Sequence, residues 1–463
     1  MKLISKNPAT EKVEYVQVAH THTQLLKKVQ AAHAAYHVWR AVPIAQRTAL
    51  LGKLARSIRE RKQSLGEIMT REMGKPLARA LTELEKCAKT CEYYRDSAEK
   101  FLADKIISTD SKKSYVHYQP LGPILAIMPW NFPYWQVFRC AAPALAAGNT
   151  VLLKHASNVS RCAVELERLF RQAGFLPGVF TTLLAPSKEI TKLIQNSHIA
   201  ALSLTGSVEA GKSVAVSAGA SLKKVVLELG GSDPFIVLED ADMLLTVSAA
   251  IDSRFNNCGQ SCVAAKRFIV LEKIASQFEQ AILKKTQELV VGNPLDPSTQ
   301  IGPLARADLR LTLDKQVKKA IKQGAQLLVG GYTLPGKGYF YAPTVLTNLT
   351  PRFSIASEEV FGPVVCIYKV ADEKAAIALA NNTQFGLGAS IWSRDLKKAE
   401  ALALQVESGL VFVNTVVRSD PQLPFGGIKN SGFGRELGEE GIKEFVNVKT
   451  VVINYSGRPK SFP

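Results

Sequence analysis

The chain has 463 residues, 46% of them hydrophobic and 21% charged, with 31 Gly and 22 Pro; this composition excludes collagenous, low-complexity and disordered classes, and at roughly 150 residues per domain it predicts about three domains with ample core. Lys and Arg number 58 against 40 acidic residues, a net charge of +18, which suits anionic ligands; the surplus is spread in pairs such as Lys27-Lys28, Lys223-Lys224 and Lys397-Lys398, with no basic tail or interleaved aromatics, and argues against nucleic acid as the main partner. An odd set of seven scattered cysteines, no apolar leader with a cleavage site and no run of ~18 apolar residues predict a soluble, cytoplasmic protein in a reducing compartment.

Residues 20 to 100 carry helical apolar spacing, as in Leu50, Leu51, Leu54 and Ile58 and then Leu65, Ile68 and Met69, which predicts a helical N-terminal region. From about 124 short apolar runs alternate with amphipathic stretches. Strands are expected at 124–128, 150–153, 180–184, 200–204 and 225–228, with helices ending near 147 and spanning 160–173, 188–195 and 207–218. Repeated βα units predict a parallel sheet covered by helices, with ligands beyond the carboxyl ends of its strands. After Gly230-Gly231 a second alternating set follows, with strands at 235–238, 267–271, 326–329, 364–369, 389–392 and 410–413 and helices at 241–254, 273–290, 308–323, 372–381 and 395–406. The tail FVNVKTVVINY and the segment KSYVHYQ at 113–119 alternate without a neighbour in their own unit. Together they predict an outlying sheet open to a second subunit.

Three residue settings carry chemistry. The segment Phe255-Asn256-Asn257-Cys258-Gly259-Gln260-Ser261-Cys262 puts a thiol on a polar turn between a helix and a strand, where a thiolate is a strong nucleophile and a small buried cysteine is the plainer alternative. Zinc at Cys258 and Cys262 is disfavoured, since all seven His precede residue 200 and no second ligand pair is near; no metal is expected. Glu228 ends the strand VVLE and Asn131 sits in the stiff turn Met128-Pro129-Trp130-Asn131-Phe132-Pro133. Strand tips are where sites form, and an amide held there can donate to an oxyanion.

Taken with Thr205-Gly206-Ser207 and Gly211, Glu228-Leu229-Gly230-Gly231, Gly259-Gln260-Ser261-Cys262, Glu359-Val360-Phe361-Gly362-Pro363 and Pro424-Phe425-Gly426-Gly427, this turn resembles the aldehyde dehydrogenase superfamily. The motifs run in the family's order from 129 to 427. KHASN at 154–158, ELGGSDPF at 228–235, the AAKRF that follows Cys262 and SDPQLPFGG at 419–427 are similar to bacterial succinate-semialdehyde dehydrogenases. The resemblance implies an α/β fold in which residues 1–107 and 120–229 form a Rossmann-like cofactor domain and residues 230–430 a second α/β catalytic domain. Residues 108–119 and 431–463 would form a small β extension for homodimers or homotetramers. It also implies a covalent mechanism: Cys262 attacks the aldehyde, the Asn131 amide and the Cys262 N–H hold the oxyanion, and Glu228 activates the water that hydrolyses the thioester.

For the cofactor, the resemblance implies that Gly206 and Ser207 open a helix toward the pyrophosphate, that Leu229 lines the site, that Glu359 and Phe361 hold the nicotinamide end, and that Trp130 and Lys154 lie on the adenosine side. Where NAD-preferring members carry Glu three residues after the lysine, this chain has Ser157. A serine beside Lys154 accepts a 2′-phosphate that a carboxylate would repel, so NADP is expected to be preferred and NAD usable; capping of the next helix is the other use for Ser157. For the substrate, the resemblance places Arg139 and Ser419 at a distal carboxylate, with Arg418 a further candidate. Asn256 stands where some relatives carry another arginine. The expected reaction is oxidation of succinic semialdehyde to succinate; glutarate semialdehyde and neutral aldehydes are the alternatives. Cys258 is expected to be structural, with a reversible disulfide to Cys262 as its alternative.

Overall fold

Apolar runs too uniform for a half-solvated sheet become strands buried on both faces. Pro123–Met128 is PILAIM and Thr150–His155 is TVLLKH; the two pair in parallel, with Ile127 opposite Lys154 and Met128 opposite His155. They form the centre of a six-stranded sheet in a computed structural model that describes residues 1–454; residues 455–463, the end of the expected extension, lie outside the described residues. Its order is Gly432–Phe433, Lys224–Glu228, Ala201–Thr205, Pro123–Met128, Thr150–His155, Phe180–Thr182, parallel except at the Gly432–Phe433 edge. The chain winds outward from Pro123–Met128 and then restarts on the other side at Ala201–Thr205. The order therefore reverses between those two strands, which opens a crevice at their carboxyl ends. Pro129–Pro133 leaves one lip of it and Gly206-Ser207 the other.

Four helices, His22–Trp39, Ile44–Glu60, Lys62–Met73 and Leu77–Phe101, form the N-terminal region. The first starts at Thr21, whose hydroxyl accepts from Gln24 N–H while the Gln24 side chain takes the Thr21 N–H, a reciprocal cap. Ahead of them stands a hairpin that the periodicity does not predict, Lys2–Lys6 with Val13–Val18, of which only Leu3 and Ser5 turn inward. Helix Trp135–Ala147 has every residue buried and is therefore apolar nearly all round. The exceptions, Gln136 and Arg139, must find partners inside.

The second sheet has seven strands in the order Gln326–Val329, Thr344–Thr347, Val364–Val370, Arg267–Leu271, Pro234–Val237, Gly388–Trp392, Leu410–Val413. Thr344–Thr347 has no counterpart among the expected strands; it is four residues long, fully buried and follows Pro343. In a third sheet Val446–Ile453 pairs antiparallel with Lys113–Pro120, which pairs with Lys105–Ile107. This joins the two segments that lacked neighbours, and it adds Lys105–Ile107 from the span assigned to the cofactor domain. In the reverse direction, Gly432–Phe433 from the span assigned to the extension pairs with Glu228 and Leu227 of the first sheet. No helix among the described residues is long and apolar enough to cross a membrane.

Candidate active site

Cys262 lies where two cavities meet. One, of about 270 Å³, is lined by Trp130, Asn131, Gly206, Ser207, Leu229, Glu359 and Phe361 among others. The other, of about 210 Å³, includes Lys86, Trp135, Arg139, Asn256, Arg418 and Ser419. Both contain Cys262 and Gln136. The expected catalytic, cofactor and substrate residues are thus largely gathered around one sulfur.

The loop that carries the thiol is held in an unusual shape. Asn257, Cys258 and Gly259 have φ of 51°, 57° and 73°, a left-handed run costly for non-glycine residues, and side chains compensate it. Buried Arg254 donates to the carbonyls of Gly259 (3.2 Å), Ala265 (3.0 Å), Val360 (3.0 Å) and Gly362, binding the cysteine loop to the Glu359 loop. Lys266 donates to the carbonyls of Ser261 (3.0 Å) and Cys262 (2.7 Å) and pairs with Glu359 at 3.5 Å. Cys258 turns away from this chemistry: its Sγ accepts from Gly302 N–H at 3.1 Å and donates to Gly302 C=O at 3.3 Å. That is a structural role.

The Asn131 turn is braced by His155, whose Nε2 donates to Pro133 C=O at 2.8 Å while Nδ1 accepts from Ala156 N–H at 2.9 Å. Asn131 Nδ2 donates to Gln260 C=O at 3.1 Å. An amide nitrogen carries two protons, so the second remains for an oxyanion, and the Cys262 N–H has no partner among the described residues. Burial pushes the Cys262 thiol up to about 11, against the pull of Arg139 and Lys266 and with the push of Glu359 and Glu228. The thiol is therefore mostly protonated at neutral pH.

Glu228 is buried at the tip of Lys224–Glu228, and neither carboxylate oxygen has a hydrogen-bond partner. Burial raises its pKa well above the carboxylate range; Arg139 pulls it down, Glu436 pushes it up and Arg435 pulls it down. Such a carboxyl takes a proton readily, as a general base must.

Arg139 departs from expectation. It lines the cavity of about 210 Å³, but its guanidinium forms a buried ion pair with Glu436, donates to Thr205 Oγ1 at 3.2 Å and stands 4.5 Å over the Phe425 ring. Glu436 in turn accepts from Ser203 Oγ at 3.0 Å. The arginine therefore lines the cavity with its charge paired to a carboxylate of the chain itself, beside Glu228. Ser419 lines the same cavity, accepting from Lys86 Nζ at 2.7 Å and Trp135 Nε1 at 3.1 Å.

Most of the residues that the resemblance assigns to the cofactor line the other cavity. Glu359 is fixed by Gly231 N–H at 3.0 Å, and a Cβ on Gly230 would lie 2.5 Å from its Oε2, so only glycine leaves the carboxylate in place. Gly211 lets helix Val208–Gly219 approach Leu229, where a Cβ would stand 2.6 Å from the leucine methyls. Two expectations change here. The Gly206 N–H is not free, since it donates to Glu228 C=O at 2.9 Å, and the Ser207 hydroxyl caps the helix by accepting from Ala210 N–H at 3.2 Å; the N–H groups of Ser207 and Val208 remain for an anion. Trp130 packs edge-on against Phe361 at 5.9 Å, and both line this cavity. Lys154 and Ser157 line neither cavity. Lys154 donates to Ser187 Oγ at 3.3 Å, has no carboxylate within ion-pair distance among the described residues, and is lowered in pKa by burial. Ser157 opens a short 3-10 turn and caps nothing.

Sequence reasoning missed Lys86, Gln136, His155, Arg254, Lys266 and Glu436. Lys266 and His155 stand inside quoted motifs, and Glu436 follows Pro424–Gly427 by nine residues; Lys86 sits on a long helix with no local signal. Among the described residues no cluster of His, Cys, Asp or Glu is arranged to hold a metal.

The aldehyde dehydrogenase family model matches residues 2–451. A relative from Synechocystis named "Probable succinate-semialdehyde dehydrogenase" for NADP(+) is 48% identical over 98% of this chain and 100% of its own. A succinate semialdehyde dehydrogenase for NAD(P)+ from Escherichia coli K12 is 44% identical over 97% of both chains. Among solved structures, succinic semialdehyde dehydrogenase from Streptococcus pyogenes in complex with NADP+ superposes with a TM-score of 0.96 at 39% identity, covering 98% of this chain and 100% of that one.

Proposed function

The chain belongs to the aldehyde dehydrogenase family, and from that premise we propose that it oxidises succinic semialdehyde to succinate, with NADP preferred over NAD. The observation that carries the reading is the meeting of two cavities at Cys262, one fit for a dinucleotide and the other walled by Lys86, Arg139, Arg418 and Ser419. Its one acidic member, Glu83, is spent on Lys75 and on the N–H groups of Tyr134 and Trp135, each at 2.9 Å. The lining therefore favours a carboxylate-bearing aldehyde.

In this mechanism the aldehyde enters from the basic cavity, the Cys262 thiol loses its proton to solvent, and the thiolate so formed bonds to the carbonyl carbon. The resulting alkoxide is held by the Cys262 N–H and the second Asn131 N–H, donors already in place before charge develops. NADP, when bound, supplies the acceptor for the hydride whose loss turns the thiohemiacetal into a thioester. Glu228 then takes a proton from water as its oxygen adds to the thioester carbon; collapse expels the Cys262 thiolate and releases succinate. Arg139 and Arg435 pull the Glu228 pKa down against its burial, and Glu436 pushes it up. Glu359, Phe361, Trp130 and the helix-opening N–H groups would hold the nicotinamide and pyrophosphate. Lys154 and Ser157 support the NADP preference, as an unpaired cation and an uncommitted hydroxyl where NAD-preferring relatives place Glu.

The same reading makes the protein a cytoplasmic homodimer or homotetramer. In support, all seven cysteines are free, and the third sheet offers edges with Ile106 and Val448 more than half exposed, a surface suited to pairing with another copy. The deciding experiment is the initial rate of NADPH formation with succinic semialdehyde beside hexanal and a Cys262→Ala control. Turnover of the acid aldehyde well above hexanal, absent in the variant, is expected. Equal efficiency with hexanal would remove the carboxylate pocket, and no turnover with either cofactor would refute the whole reading.

A further inference from the structure

We propose that Lys86 is the cation that receives the distal carboxylate of the substrate, with the Ser419 hydroxyl as its companion donor, and that Arg139 serves the reacting end of the site. The inference rests on the reading of the substrate as a carboxylate-bearing aldehyde and assigns the residue that recognises it.

Of the four basic residues in this wall, Arg79 pairs with Asp252 at 2.6 Å, Arg139 is neutralised by Glu436, and Arg418 is exposed at the rim, where solvent screens it. Lys86 differs from all three. It projects from helix Leu77–Phe101 with Nζ 4.0 Å over the Trp135 ring and 2.7 Å from Ser419 Oγ, and among the described residues no carboxylate lies within ion-pair distance. An ammonium carries three protons and Ser419 takes one. Two donors, Lys86 Nζ and Trp135 Nε1, already fill the lone pairs of Ser419 Oγ. The serine's own proton is therefore left to donate, and hydroxyl and ammonium share one cavity with Cys262. Two convergent donors, one charged, match a carboxylate.

The charged and titratable groups that bear on Lys86 are Glu83 and Cys87 on its own helix, Arg139 on helix Trp135–Ala147, and Asp420 in the loop after Leu410–Val413. Burial first, and Arg139 next, bring the ammonium down to about 8 against the raising pull of the other three. Above that pH the free enzyme loses the charge that a carboxylate seeks.

The test is the ratio of kcat/KM for succinic semialdehyde to that for butanal, which cancels the titration of Cys262 and Glu228 common to both. In the wild type the ratio is expected to hold between pH 6 and 7.5 and then fall about tenfold per pH unit above about 8. Lys86→Arg should abolish that fall, because guanidinium stays charged, and Lys86→Met should lower the ratio at pH 7 by about 10- to 100-fold. A wild-type ratio that stays flat to pH 10, or a Lys86→Met ratio equal to wild type, overturns the assignment while leaving the acid-aldehyde reading intact. A wild-type ratio near one at pH 7 refutes that reading itself. Should Lys86→Met not fold, the wild-type profile alone still decides.

Discussion

Replacing Glu436 by Gln tests the electrostatics on which the proposed chemistry depends. The side chain keeps its shape and its contact with Ser203, but Arg139 loses its counterion. Arg139 is 1% and Glu436 3% exposed, so solvent cannot compensate, and breaking one side of such a pair costs about 3 to 5 kcal/mol. The unfolding free energy from urea titration, followed by tryptophan fluorescence, should fall by that amount. The catalytic consequence has a definite sign. Glu436 raises the Glu228 pKa and Arg139 lowers it; with the first influence gone and the second uncompensated, the pKa of Glu228 must fall. The acid limb of kcat, which marks protonation of the base, should move to lower pH, and single-turnover decay of the acyl-enzyme near pH 8 should slow because the carboxylate is a weaker base. An acid limb that stays in place or moves upward would refute the coupling. The double replacement Arg139→Met with Glu436→Met should recover much of the lost stability without restoring deacylation, since Glu228 then keeps only the weaker pull of Arg435 against its burial.

Alkylation of the free enzyme by iodoacetamide should be slow at pH 7, where a thiol at about 11 leaves only about one thiolate in ten thousand, and should rise about tenfold per pH unit up to pH 10; a plateau by pH 8 would contradict the burial argument. Ser157→Glu should lower the ratio of kcat/KM with NADP to that with NAD by about 30- to 100-fold at unchanged thermal stability, and an unchanged ratio would detach Ser157 from the 2′-phosphate. Gly230→Ala places a Cβ 2.5 Å from Glu359 Oε2 and should raise the KM for the cofactor at least about tenfold, with a smaller effect on the KM for the aldehyde; equal effects on both would mean that Glu359 does not serve the nicotinamide end.

The two α/β units were legible because most of their strands are buried on both faces and read as short apolar runs between amphipathic helices. The N-terminal hairpin was not, since Lys2–Lys6 buries only alternate residues against its neighbours. Thr344–Thr347 was hidden by its brevity after a proline. At the site, Cys262, Glu228 and Asn131 stood out because each is chemically out of place in its local sequence: a thiol on a turn, a carboxylate on an apolar strand, an amide between prolines. Lys86 and Glu436 carry no such mark. A lysine on a polar helix and a glutamate in a glycine-rich tail are ordinary until the fold brings them to Trp135 and Arg139. Arg139 shows the reverse limit, since its position was legible while its partner, 297 residues further along the chain, was not.

That distance bears on biosynthesis. Cys262, Glu228 and Asn131 have all left the ribosome while Gly432–Phe433 and Glu436 are still being made. A nascent chain therefore folds its first sheet with one flank of Lys224–Glu228 bare and with a buried guanidinium lacking its anion. Residues 432–436 complete the pocket. A fragment ending before 432 would hold Cys262, Glu228 and Asn131 and still leave Arg139 without its anion, so in the proposed reaction competence is acquired only once residues 432–436 join the fold.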